Sequence, residues 1–490
     1  MAMPPSAAAP SARRAVLFAF AQRYFSFALQ LGTSVILARL LTPQETGIFS
    51  LAATAVAIGA IVREFGIGDY LVSQKELTPE KIRAAFTVTV AVAWIIALVI
   101  ALAAYPLAAL YNEPGVAQVM HILCLNFMLL PLGATTMALL VKELKFDTVF
   151  VIQAGSALVG AAVTVACALN GLSYTSPAWG SVASIVSTFV LLLLLQPHAT
   201  RLRPGLRDLR EVLKFGGTNT MSRMVEGVST RADDFIISGM LGFHSSGILS
   251  KSNSLNAGFY TFFASAVVSV ASPLLARARH AGHEIADDYG RVTLQIALVQ
   301  WLFFGTMGIC AQEIILLLFG EAWSEAIPIL QIGAIQGLIY APFMLCTPVL
   351  TAYGAMNAQL RINLVFGVTL ACCLMVGAMH SLVAAASLSV LAHIVRLMLL
   401  AKAAKALCGI STFKIVKRMG MTATIAVGAA AATFLARLLA QSLGWPLVLN
   451  LGISVACGTL VCASMAIVLG HPAGSELKRI LRRPGRPTNT

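Results

Sequence analysis

Long apolar stretches alternate with short polar ones along almost the whole chain. Mostly apolar segments lie at 15–38, 47–62, 84–106, 117–140, 148–169, 177–195, 214–240, 247–276, 292–318, 326–353, 358–379, 381–401, 419–440 and 446–469. About 20 such residues make a helix that crosses a bilayer. The pattern predicts fourteen transmembrane helices and an all-α integral membrane protein. The seventh segment is the least apolar. The eleventh and twelfth are parted only by His380 and Ser381.

Composition narrows the class further. The chain has 490 residues, 58% hydrophobic and 11% charged, with mean hydropathy +0.84. Soluble domains carry about 25% charged residues. A chain this apolar cannot cover itself with polar surface, so lipid is part of its solvent. The net charge of +14 would suggest nucleic acid in a soluble protein, but here it reads as topogenic, with no nucleic-acid partner. Twenty-seven of the 34 Lys and Arg residues fall in the two tails and the even-numbered connections. Basic residues remain on the cytoplasmic side of short loops. Both termini are therefore expected in the cytoplasm. Residues 1–14 form an expected disordered tail. Arg23 within the first span argues against a cleaved signal peptide.

The seven remaining basic residues are Arg23, Arg39, Arg223, Arg231, Lys251, Arg396 and Arg437. All lie in or at the ends of spans. A charge near the bilayer centre costs at least about 2.5–3.5 kcal/mol. The seventh span concentrates them. On a helical wheel Asn219, Arg223, Glu226, Thr230 and Asp234 share one face, flanked by Arg231 and Asp233. This face predicts a hydrated cavity lining. The alternative is intrahelical pairing, Arg223 with Glu226 and Arg231 with Asp234. Arg39, Glu313 and Arg437 stand near span ends and read as structural. Lys251 fits snorkelling as well as ligand contact. The nine cysteines all sit in or beside apolar segments and read as small hydrophobes.

The chain also repeats itself at an offset of 200. Residues 38–50 read ARLLTPQETGIFS and residues 238–250 read SGMLGFHSSGILS. Leu41, Gly47, Ile48 and Ser50 match Leu241, Gly247, Ile248 and Ser250, and Arg23 matches Arg223. Parallel repeats about an axis along the membrane normal produce such a pattern. It predicts an N-lobe over 15–195 and a C-lobe over 214–404. A basic linker at 196–213 joins them. Two further helices occupy 405–470, followed by a basic tail at 471–490. Transporters built this way hold substrate between lobes and rock one against the other. Two guanidinium groups, Arg23 and Arg223, would suit a diphosphate, since Arg grips phosphate oxygens in bidentate fashion. No Walker A loop or H-E-x-x-H is present, so no enzyme activity, metal or cofactor is expected.

Several stretches together resemble the oligosaccharide flippases, the polysaccharide-transporter branch of the multidrug/oligosaccharidyl-lipid/polysaccharide exporter superfamily. They are Arg39-Leu-Leu-Thr-Pro-Gln-Glu-Thr-Gly47, Phe65-Gly-Ile-Gly-Asp-Tyr-Leu-Val72, Lys75-Glu-Leu-Thr-Pro79, Lys142-Glu-Leu-Lys-Phe146 and Lys214-Phe-Gly216. The resemblance runs to about residue 400. Gly247-Ile-Leu and Lys145 depart from it. It implies a two-lobed, fourteen-helix flippase of the bacterial inner membrane that moves an undecaprenyl-diphosphate-linked oligosaccharide to the outer leaflet by alternating access. The product would feed O-antigen, capsule or exopolysaccharide assembly. It leaves a polysaccharide polymerase open as protein partner. Arg23, Arg223, Arg231, Lys251 and Arg396 are the expected substrate-binding residues. Glu226, Asp233 and Asp234 would tune the charge or carry a coupling ion. A drug/cation antiporter of the same superfamily is the competing reading, and a membrane scaffold or glycosyltransferase subunit the third.

Overall fold

The computed structural model describes residues 12–64, 78–196, 205, 224, 227–260, 286–409, 411–475 and 478. Among them every regular element is a helix. The first six are α1 (Ala12–Leu40), α2 (Pro43–Glu64), α3 (Pro79–Leu110), α4 (Pro114–Lys142), α5 (Phe146–Leu169) and α6 (Ser176–Leu195). Then come α7 (Ala232–Phe259, two helical halves broken at Gly242, φ +82°), α8 (Ala286–Ile309), α9 (Ala311–Leu318), α10 (Ala326–Tyr340) and α11 (Cys346–Ala352). The last are α12 (Met356–Ala378), α13 (Leu382–Cys408), α14 (Thr412–Arg418), α15 (Gly420–Ser442) and α16 (Leu447–Val468). Eleven described segments are long and apolar enough to cross a membrane. α1 adds a 29-residue helix over the expected first span. The chain is a multi-span, all-α membrane protein. The expected seventh and eighth spans lie partly outside the described residues.

Local chemistry sets where the helices begin and end. Thr78 Oγ1 accepts from Lys81 N at 3.3 Å with Pro79 at the first helical position of α3. Glu113 does the same for Gly115 N at 3.0 Å ahead of Pro114 and α4. Such caps satisfy amides that the helix cannot. Ser381 accepts from Ala384 N at 3.1 Å, so the His380–Ser381 interruption is the start signal of α13. Gly409, at φ +70°, closes that helix in the left-handed region open to glycine. The structure breaks two spans that the pattern reads as continuous. The ninth is divided at Cys310 between α8 and α9. The tenth is three pieces, α10, a 3₁₀ turn at Ala341–Phe343, and α11. Pro342 supplies no amide and disfavours helix before it.

Two compact units divide the chain after Gly247. In the first, α2, α3 and α4 pack around Leu51, Ala52, Ile100, Val119 and Phe127, all buried. α5 and α6 meet through small residues. A Cβ at Gly160 would stand 2.8 Å from Ser184 Cβ, and one at Gly180 would overlap the Thr164 side chain. Lipid tails are as apolar as leucine, so close packing of small residues, not hydrophobic exclusion, holds membrane helices together. In the second unit, Tyr289, Met344, Leu345 and Val349 form one core. Leu298, Ile425, Ala429 and Cys462 join α8, α15 and α16 in another. Outward-facing Trp94, Ile95, Leu98, Val99, Leu102 and Tyr105 on α3 are each more than half exposed and match a lipid-facing face.

Candidate functional site

The motif at the start of α2 is a capping box. Thr42 N and Oγ1 donate to Glu45 Oε2 at 2.7 and 2.9 Å, and Glu45 N returns a bond to Thr42 Oγ1 at 3.3 Å. Glu45 Oε1 also accepts from Ser173. One turn on, Gly47 meets the second half of α7. A Cβ at Gly47 would overlap the Phe243 carbonyl and come 3.0 Å from Gly247 N. A Cβ at Gly247 would overlap the Pro43 carbonyl and come 3.1 Å from Gly47 N. The pairing is reciprocal at the offset of 200: 47 meets 243 and 247 meets 43. A two-fold contact has this form. The two copies of the repeat thus touch each other backbone to backbone.

Ser50 and Thr54 continue the Gly47 face of α2 at helical spacing, and both engage Asp234. Ser50 Oγ donates to Asp234 Oδ1 at 3.1 Å, and Thr54 Oγ1 donates to Asp234 Oδ2. Tyr111, just beyond α3, donates its hydroxyl to the Phe235 carbonyl at 2.9 Å. The start of α7 is thereby tied to α2 and α3.

The charged face expected on the seventh span is not continuous. Residues 227–229 are helical, Thr230 and Arg231 form a turn, and the helix restarts at Ala232. Thr230 Oγ1 and Arg231 Nη1 both donate to the Gly227 carbonyl, at 3.3 and 3.4 Å. Arg231 N reaches Val228 O instead of the i−4 carbonyl, at 3.2 Å. Side-chain bonding of this kind competes with the helical ladder. Asp233 Oδ1 accepts from Asp234 N at 3.0 Å at the restart. Arg231 and Asp234 interact electrostatically across the break. Arg223 and Glu226 lie outside the described residues, as does Asn219.

Arg23, Lys251 and Arg396 are also among the described residues. Arg23 is half-buried on α1, next to Gln22, whose amide donates to Gln153 of α5. Lys251 is buried at 8% exposure, with Nζ 5.4 Å from the Phe319 ring and 5.6 Å from the Trp323 ring. Both rings are themselves buried. Cation–π contact compensates part of its desolvation. Lys251→Met is therefore expected to lower stability by about 0.5–2 kcal/mol, read as a shift in thermal unfolding in detergent. Arg396 lies over the Phe366 ring at 4.7 Å and donates to Asn363 Oδ1 at 3.4 Å. His393 abuts the same ring at 5.1 Å.

Glu313, read from its place near a span end as structural, forms an ion pair with Arg437. It is buried, and its Oε1 accepts from Arg437 Nε at 2.6 Å, Gln441 Nε2 at 3.0 Å and Asn450 Nδ2 at 3.4 Å. Arg437 Nη2 also donates to Gln312 at 3.1 Å. This network joins α9 to α15 and α16. No group of three or more potential metal ligands occurs among the described residues.

The sequence matches the polysaccharide biosynthesis protein family over residues 36–328. The chain belongs to that family. It is 27% identical over 358 residues to the succinoglycan biosynthesis transport protein ExoT of Rhizobium meliloti (strain 1021), covering 72% of this chain and 71% of the other. It is 22% identical to the teichuronic acid biosynthesis protein TuaB of Bacillus subtilis (strain 168), covering 94% and 95%. Its fold matches that of the lipid II flippase MurJ in an inward closed conformation. That TM-score is 0.74 at 12% identity, with 96% of this chain and 100% of the other covered.

Proposed function

We propose that this membrane protein is a flippase for undecaprenyl-diphosphate-linked oligosaccharide, working by alternating access in surface-polysaccharide assembly. The observation that carries the reading is family membership over residues 36–328, in which relatives are named for polysaccharide transport and biosynthesis. The shared fold with a lipid II flippase supports it. Two lobes, 15–195 and 214–404, with both termini cytoplasmic, follow from the repeat and the basic connections. Arg23, Arg223, Arg231 and Arg396 serve the anionic headgroup, with Lys251 as a further cation. Glu226, Asp233 and Asp234 tune that charge. An Arg–diphosphate contact is a charge-assisted hydrogen bond worth about 1.5–3 kcal/mol, so losing one slows transport about tenfold or more.

The test uses the purified chain in vesicles loaded with a fluorescent undecaprenyl-diphosphate oligosaccharide. A membrane-impermeant quencher reports how fast the label changes leaflet. The chain is expected to raise that rate, and Arg231→Gln and Arg23→Gln are each expected to lower it about tenfold. A rate equal to that of empty vesicles would reject the reading. Efflux of a cationic drug with no movement of the lipid would favour the antiporter instead.

A further inference from the structure

Between α13 and α15 lies α14, Thr412–Arg418, with the sequence TFKIVKR. It joins two spans by a few residues at each end, so it sits at the level of the membrane surface. Its side chains divide into three sectors round the axis. Thr412 and Ile415, with Met419 just after the helix, are buried. Ile415 packs into the core of Tyr289, Met344 and Val349, and Thr412 Oγ1 lies 3.7 Å from Cys346 Sγ. Next to that sector stand exposed Phe413 and Val416, at 55% and 41%. The remaining sector carries Lys414, Lys417 and Arg418, all exposed. No Asp or Glu occurs anywhere between Glu325 and Glu476.

Topogenic charge alone asks only that basic residues be present on one side of the membrane. It does not ask for a docked helix, nor for an apolar strip placed between the anchored face and the basic one. That arrangement is what an interfacial helix has: one face toward its own protein, one toward acyl chains, one toward headgroups. A cationic sector at headgroup depth attracts anionic lipid, and the effect grows with each Lys or Arg.

We infer that α14 is a binding site for anionic membrane lipid, with Phe413 and Val416 entering the acyl region and Lys414 and Lys417 holding the phosphate groups. Arg418 extends the same sector. The leaflet follows from the orientation proposed above, which puts this connection on the cytoplasmic side. The lipid here is the surrounding bilayer component, distinct from the transported substrate.

The experiment titrates fluorescent phosphatidylglycerol into the full-length chain in neutral detergent, with phosphatidylcholine as reference. Wild type is expected to prefer phosphatidylglycerol. Lys414→Gln with Lys417→Gln is expected to weaken phosphatidylglycerol binding on the order of tenfold or more and leave phosphatidylcholine unchanged. Phe413→Ser is expected to weaken both. Lys142→Gln with Lys145→Gln removes the same number of charges from another connection and is expected to change neither. Unaltered phosphatidylglycerol affinity in the Lys414/Lys417 variant overturns the inference, as does an equal loss in the Lys142/Lys145 control. The titration involves no transport, so its failure and a failure of the flippase reading are read separately.

Discussion

Removing either member of the Glu313–Arg437 pair is expected to destabilise the second unit by about 3–5 kcal/mol. Glu313 is 1% exposed, and its Oε1 collects hydrogen bonds from Arg437, Gln441 and Asn450. Glu313→Ala strands the Arg437 guanidinium, only 17% exposed, with Gln312 as its remaining hydrogen-bond partner. Arg437→Met strands a buried carboxylate. An unpaired ion in a low-dielectric site costs far more than the pair itself contributes. Glu313→Leu with Arg437→Met replaces both charges by similar volumes and is expected to recover most of the loss. Thermal unfolding in detergent reads all three. If each single variant unfolds with the wild type, the ion pair has no structural weight. If the double variant is as poor as the singles, the cost lies in packing and not in the stranded charge.

Valine at Gly47 or Gly247 is the second large effect expected. Either Cβ would overlap a backbone carbonyl of the other motif. Carbonyls within helices cannot step aside as a flexible side chain can, so the helices themselves must part. Overpacking of this kind costs about 1–3 kcal/mol or more. The reciprocal geometry makes the two positions equivalent, so Gly47→Val and Gly247→Val should lower both unfolding temperature and lipid-flipping rate to a similar degree. Alanine should do so less. A large loss at one glycine with none at the other would show that the contact is not symmetric. Asp234, held by Ser50 and Thr54 on the same face of α2, would feel the displacement first.

Much of the fold was legible because bilayer thickness imposes a length that apolar runs either meet or miss. The expected eleventh, twelfth, thirteenth and fourteenth spans coincide with α12, α13, α15 and α16 to within a few residues, except that α13 runs on to Cys408. The narrow gap at His380 and Ser381 was legible for another reason, since Ser is a strong helix cap. Breaks inside spans were less so. Nothing in the apolar pattern marks Cys310, and the turn at Thr230–Arg231 depends on two side chains choosing the Gly227 carbonyl. A helical wheel assumes the ladder is intact, so the single charged face drawn through Asn219 to Asp234 overreached. The partners of Asp234 were missed for the same reason: Ser50 and Thr54 look like ordinary small residues in an apolar helix. Their signal was present as a Gly47, Ser50, Thr54 line at helical spacing. The repeat at an offset of 200 rested on few identities in the sequence, and two of the matched positions, Gly47 and Gly247, lie against each other. Arg223 and Glu226, central to the charged-face argument, lie outside the described residues.

The meeting of Gly47 with Gly247 has a mechanical side. Most helix contacts interlock, with side chains seated between those of the neighbour, and separating them means withdrawing each from its socket and finding new rotamers. Here two peptide backbones lie against each other with no projecting group from either glycine. Such surfaces part and rejoin like smooth plates, with little to disengage and a single way to fit on return.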